Sequence, residues 1–100
     1  MNENSAEALF TKGIAAQGND DFAEAVKCWS EAAEQGHTEA QFFLGICYES
    51  GIAVDEDLEK AFDLYAKSAE EGCAGAQTQL GLCYASGQGV AQDYKKAVEW

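Results

Sequence analysis

Two stretches separated by 36 positions, from residue 40 to residue 76, determine the fold of this chain. Residues 40–48 read AQFFLGICY and residues 76–84 read AQTQLGLCY. So many identities at one spacing identify an internal repeat, and a repeat of this length is typical of stacked helix pairs that share one core. The same spacing matches further residues: Ser50-Gly51 with Ser86-Gly87, Val54 with Val90, Asp57 with Asp93, and Lys60-Ala61 with Lys96-Ala97.

Each repeat unit divides into two predicted helices. The first helices are expected near 38–50 and 74–86, and the second near 57–71 and 93–100. Glycine follows each of the complete helices and can adopt the left-handed conformation that ends a helix. These glycines are Gly51 and Gly87 after the first helices, and Gly36 and Gly72 after the second.

The helix starts carry capping residues. Thr38 is expected to cap a first helix, and Asp57 and Asp93 are expected in or before the opening turn of the second helices. The first unit differs because four residues are missing between its two helices. Its segment 18–22, Gly-Asn-Asp-Asp-Phe, predicts a tight turn that leads into a capped helix.

A helical projection separates two faces of the helix at 38–50. One face is predicted to pack inside the repeat and contains Ala40, Gln41, Leu44, Cys47 and Tyr48. The cysteines follow the same division. Cys28, Cys47 and Cys83 are expected in the core, whereas Cys73 falls in a turn and is the thiol expected to react with a label.

The composition limits the kind of partner. The chain has 100 residues, 47% of them hydrophobic, which suits one folded domain. Eighteen acidic residues against six lysines and no arginine give a net charge of −12. Nucleic acid and anionic membranes are therefore excluded as expected partners, whereas a basic partner would be attracted. With no signal-peptide pattern and no apolar run of membrane-spanning length, the sequence predicts a cytoplasmic protein.

The repeated motifs resemble a known family. Leu-Gly-x-Cys-Tyr-x-Ser-Gly-x-x-Val, followed by Asp-x-x-Lys-Ala, is similar to the Sel-one-like repeat, a relative of the tetratricopeptide repeat. The resemblance implies one all-α domain, a right-handed α-solenoid of antiparallel helix pairs that acts as a protein-interaction scaffold. Its units span about 5–37, 38–73 and 74–100, the last incomplete. Ala53 replaces the second glycine of the family's Gly-x-Gly-Val turn, which is expected to bend the turn slightly.

The resemblance also implies that the first helices line a concave surface. The face of the 38–50 helix that points away from the core then places an apolar stripe there, flanked by the carboxylates of Glu39 and Glu49. We expect this stripe to bind a peptide or partner protein with apolar and basic residues, and we expect polar substitution of Phe42 and Ile46 to abolish binding without unfolding. The stripe consists of Phe10, Ile14, Phe42, Ile46 and Leu82.

The sequence contains little that indicates an enzyme. The four cysteines form no Cys-x-x-Cys pair, and the single histidine, His37, is expected to be an exposed turn residue. We therefore predict no catalytic residue, metal or cofactor. The alternative is a thiol-dependent or metal-dependent hydrolase-like activity of a cysteine-containing repeat protein. The last helix stops at Trp100, about halfway, so its end is expected to fray, to be covered in a homo-oligomer, or to continue in a longer protein.

Overall fold

The computed structural model describes residues 5–87, which form five α-helices. Helix α2 packs against α1 and α3, and α4 packs against α3 and α5. This order confirms the all-α solenoid of successive helix pairs. The helices are α1 (Ala6–Gly18), α2 (Phe22–Glu34), α3 (Thr38–Ser50), α4 (Leu58–Glu70) and α5 (Ala74–Ser86).

The predicted bounds of the first helices agree with α3 and α5. The predicted helix at 93–100, the cap at Asp93 and the chain end at Trp100 lie outside the described residues. Both first helices end at a glycine in the left-handed conformation, with φ of 69° at Gly51 and 76° at Gly87. A side chain at either position would strain the backbone, which explains why the repeat has glycine there.

Side-chain caps begin four of the five helices. The Asp21 and Asp57 carboxylates accept hydrogen bonds from backbone N–H groups at 3.2 and 3.0 Å, as the sequence predicted for Asp57. The prediction for Thr38 was wrong, because His37 Nδ1 accepts the capping bond from the Ala40 N–H at 3.1 Å. The Thr38 hydroxyl instead donates to Glu71 at 2.8 Å and links the two ends of the second unit.

Glycines on the first helices let rings from the second helices approach closely. The Trp29 indole lies against Gly13, where an added Cβ would overlap it. The Tyr65 ring lies against Gly45, and a Cβ there would be 2.7 Å from the Tyr65 Cε1 atom. Trp29 and Tyr65 are 2% and 0% exposed. Each glycine therefore fixes how closely the two helices of its unit pack.

Helix α3 contributes to two core clusters through opposite faces. Its Leu44 and Cys47 join the cluster that α1 and α2 form around Trp29. Its Phe42 and Ile46 pack against the cluster of α4 and α5 around Tyr65. The units are thus joined through α3. Within the second unit, the buried Ser68 hydroxyl of α4 donates to the Thr38 carbonyl oxygen at 2.8 Å.

The two helix connections within units differ in length. Residues 19–21 connect α1 to α2, whereas residues 51–57 connect α3 to α4. The longer connection folds back on the core, where Ile52 and Val54 pack against the first cluster. Within it, Ala53 has a φ of 59°, the left-handed conformation that glycine adopts without strain.

Three of the four thiols belong to the core. Cys28, Cys47 and Cys83 are buried, whereas Cys73 is partly exposed, as predicted. Burial raises the pKa of all three buried thiols, and for Cys28 the nearby Glu24 carboxylate raises the pKa further. The pKa of Cys83 rises to about 11, mainly through burial.

The described helices are short relative to the thickness of a membrane. Each has 13 residues, whereas a helix needs about 20 mostly apolar residues to cross a bilayer. Between residues 5 and 87, therefore, no helix meets the requirements for crossing a membrane.

Substitution of Gly45 by alanine should destabilise the fold. The added Cβ would meet the Tyr65 ring, which is buried and cannot move freely, so we expect a loss of about 1–3 kcal/mol in the free energy of unfolding. Urea unfolding followed by circular dichroism measures it. Gly18→Ala is the matched control, since nothing lies within 4 Å of a Cβ there. Equal unfolding midpoints for the two variants would contradict the packing described.

The thiols should react in two classes with a water-soluble disulfide reagent at neutral pH. Cys73 should react rapidly, and the other three should react slowly because burial hides them and keeps them as protonated thiols. Cys73→Ser should remove the rapid phase alone, while urea should make every remaining thiol reactive. A rapid phase that persists in Cys73→Ser would show that another cysteine is accessible.

Candidate functional site

The predicted stripe is only partly exposed in the folded chain. Its residues lie on the first helices, Phe10 and Ile14 on α1, Phe42 and Ile46 on α3, and Leu82 on α5. Ile14 is 39% exposed and Leu82 is 55% exposed. The other three side chains are half-buried and contact neighbours within the chain. Ile14 and Leu82 are therefore the members of the stripe most available to a partner.

Phe10 joins the first unit to the second. Its ring stacks on His37 with a centroid separation of 4.6 Å and an interplanar angle of 24°. It also lies 5.3 Å from the Phe43 ring centroid. The Phe10 carbonyl oxygen accepts a hydrogen bond from the Trp29 indole N–H at 3.4 Å. Phe10 therefore has a structural role in addition to any contact with a partner.

Phe42 joins α3 to α5 in a similar way. A Cβ on Gly75 would lie 2.7 Å from the Phe42 ring, so the glycine makes room for it. The Phe42 centroid also lies 6.1 Å from that of Tyr65. Ile46 packs against the same cluster. These contacts correct the expectation that both residues could become polar without an effect on folding, because each supports the junction between units.

The two predicted acidic neighbours differ in environment. Glu39 is exposed in the first turn of α3, where the positive end of the helix dipole stabilises a carboxylate. Glu49 is half-buried and accepts a hydrogen bond from the Tyr65 hydroxyl at 2.6 Å. Burial, this hydrogen bond and the Glu49 charge raise the pKa of Tyr65. Glu49 thus holds Tyr65 in place, whereas Glu39 is free to meet a basic partner.

An apolar cleft lies beside the stripe, at the junction of the first two units. Ile46 of the predicted stripe also lines this cleft, but the cleft itself was not predicted. The available signal was Phe22, a large apolar residue directly after the short turn of the first unit. The cleft has a volume of about 120 Å³ and is lined by Gln17, Phe22, Trp29, Phe43, Ile46, Cys47 and Ile52.

The histidine has a different role from the one predicted. His37 is half-buried, with one ring face against Phe10 and Nδ1 bonded to the backbone of α3. Both features hold the ring as part of the junction between units. Across residues 5–87, no three side chains of His, Cys, Asp or Glu are grouped closely enough to hold a metal ion.

Comparison with known proteins agrees with this geometry. The Sel1 repeat family model matches residues 6–37, 38–73 and 74–100. A Sel1 repeat protein from Oxalobacter formigenes is 29% identical with a TM-score of 0.92, over 98% of this chain and 42% of that one. The antigen c5321 of uropathogenic Escherichia coli, which has an SLR fold, is 30% identical with a TM-score of 0.91, over 95% of this chain and 21% of that one.

This chain spans less than half the length of either solved structure. No curated protein matches it significantly. The family model nevertheless matches every repeat unit from residue 6 to residue 100, and the two structures share the arrangement of its helices. The chain therefore belongs to the Sel1 repeat family.

Proposed function

We propose that this chain is a non-catalytic scaffold that binds a peptide or partner protein on the surface formed by α1, α3 and α5. Sel1 repeat proteins typically act as protein-interaction scaffolds. The observation that carries the proposal is the position of the exposed large apolar side chains. Within residues 5–87 these are Ile14 and Leu82 on first helices and Phe22 at the cleft. Apolar surface of this kind is typical of a docking site.

The charge of the chain indicates the chemistry of the partner. A net charge of −12 attracts a basic segment and repels polyanions, so we propose a protein or peptide with apolar and basic residues, rather than nucleic acid or an anionic membrane. Glu39 is placed to meet such a segment at the edge of the stripe. Because this part of the attraction is electrostatic, it weakens as salt is added.

The proposed surface is small. Full burial of two large aliphatic side chains contributes roughly 3–6 kcal/mol, whereas association costs about 4–15 kcal/mol. Ile14 and Leu82 alone therefore cannot hold a partner, and further contacts must contribute. Charge pairs and the neighbouring apolar cleft are the available sources.

No contact among the described residues favours the hydrolase-like alternative. Three thiols are buried with raised pKa values, which keeps them protonated and unreactive. His37 is engaged as a helix cap. Free thiols suit a reducing compartment, and we propose that the protein is cytoplasmic.

The proposal is tested by substitution of the two exposed aliphatic residues. Ile14→Ser with Leu82→Ser should reduce the capture of partner proteins at least tenfold, because each change removes apolar area from the interface. Affinity capture followed by quantitative mass spectrometry of bound proteins measures this. Both positions are well exposed, so thermal unfolding should change little.

The matched control is Ala23→Ser with Lys27→Ser, which changes exposed residues of α2. This variant should capture the same proteins as the unchanged chain. If the Ile14/Leu82 variant captured them equally well, the surface of the first helices would not be the docking site. Loss of capture in the control alone would place the site on the second helices.

A further inference from the structure

The cleft at the junction of the first two units lies beside their two connections, which differ in length. In the second unit, residues 51–57 fold back, and Ile52 donates its backbone N–H to the Cys47 carbonyl oxygen at 2.9 Å. In the first unit, residues 19–21 form only a turn, so Phe22 begins α2 with 37% of its surface exposed. Phe22, directly after the short turn, and Ile52, in the longer connection, both line the cleft.

The cleft has a buried apolar floor and an exposed rim. Trp29 and Cys47 are 2% and 3% exposed and form the floor. Phe43 and Ile46 of α3 are half-buried and form a wall. Phe22 is exposed and lies at the rim. A partner side chain that enters here would meet mostly carbon and sulfur atoms, which favours an apolar group.

The volume of the cleft matches a single side chain. At about 120 Å³ it is somewhat smaller than an engineered protein cavity of about 150 Å³ that holds a benzene molecule. One phenyl ring or branched aliphatic group therefore fits, whereas a folded element does not. The cleft also adjoins the stripe, because Ile46 belongs to both.

The two segments that border the cleft are acidic. Asp20 and Asp21 precede Phe22, and Asp55 and Glu56 follow Ile52 in the longer connection; all four are exposed. Neither segment contains a lysine. The C-terminal ends of α1 and α3 lie at the same end of the helices and add negative partial charge. Basic residues beside an entering side chain would therefore be attracted.

We propose that this cleft is the anchor pocket for one large apolar side chain, phenylalanine or leucine, of a partner segment whose neighbouring residues are lysine or arginine. The inference rests on the proposed scaffold function. It adds the place where the partner is anchored and the types of residue in the segment that binds there. The anchoring side chain adds buried apolar area that the stripe lacks. The acidic segments beside the cleft favour a partner with basic residues on either side of the anchor.

The fluorescence of Trp29, in the floor of the cleft, can report directly on binding. The chain has two tryptophans, so Trp100→Phe leaves Trp29 as the single tryptophan, which can be excited apart from the tyrosines. The probe is a nine-residue Gly/Ser peptide, blocked at both ends, with a central phenylalanine flanked by two lysines on each side. Added in increasing concentration, this peptide should shift the Trp29 emission until the shift reaches a plateau. Replacement of the phenylalanine by alanine should weaken binding about 10- to 100-fold, as expected for the loss of one buried ring.

Two variants test the pocket itself. Gln17→Phe adds a ring at the exposed rim and should block the pocket without the removal of core atoms, while Phe22→Ser removes part of the lining. Both variants should bind the phenylalanine peptide at least tenfold more weakly than the unchanged pocket does. Leu82→Ser is the control, because Leu82 does not line the cleft, and it should leave the peptide signal unchanged. Thermal unfolding checks that each variant is folded.

The outcomes separate the pocket from the scaffold function. Equal affinity for the phenylalanine and alanine peptides, or a signal that persists in both cleft variants, would overturn the anchor pocket. Equal affinity for a peptide with glutamates in place of lysines would overturn the basic flanks. If Ile14→Ser with Leu82→Ser lost partner capture while Gln17→Phe retained it, the scaffold would stand without the pocket. If both retained capture, the surface of the first helices would not be the docking site, and the cleft would not be its anchor pocket.

Discussion

A ring from the second helix of each complete unit lies on a glycine of the first helix, and the other contacts are arranged around this pair. Trp29 covers Gly13 and Tyr65 covers Gly45. Any larger residue would push the helices apart, since a buried ring in a close-packed core has no space to retreat into. The pair sets the separation of the two helices, and that separation determines which side chains of α3 can reach the neighbouring units.

Aromatic rings continue this packing from one unit to the next. Phe10 of α1 meets Phe43 of α3, and Phe42 beside it meets Tyr65 of α4. Phe42 and Phe43 lie 5.8 Å apart in a T-shaped arrangement. Consecutive residues of α3 thus face opposite neighbours, one towards α1 and one towards α4 and α5. This explains why residues on the outward face of an isolated helix are half-buried in the solenoid.

The fold could be predicted from the sequence because it follows from a repeated pattern. A spacing of 36 residues, glycines after the helices and an apolar face on each first helix are all local features, and together they define the helix bounds. The buried position of Cys47 followed from the same pattern. Within α3, this pattern identified the side with Leu44 and Cys47, which packs in the first cluster.

The site was less predictable because it depends on contacts between units. A projection of α3 alone places Phe42 on the outer face, but Gly75 of the next unit admits its ring. Likewise, His37 was expected on the surface because it follows a glycine, yet Phe10 of α1 stacks on it. Neither partner is near in sequence. Contacts of this kind require the superhelical arrangement, which no single helix specifies.

A perfectly periodic solenoid would present the same surface at every unit, so selectivity for a partner must arise where units differ. In this chain the aromatic pair of α3 corresponds to Thr78 and Gln79 in α5. The short turn before Phe22 is likewise confined to the first unit. Both differences place apolar side chains at the junction of units one and two, while Leu82 of α5 stays exposed in the third unit. In the proposed complex, the anchoring side chain of the bound segment would lie at that junction, and Leu82 would contact another part of the segment.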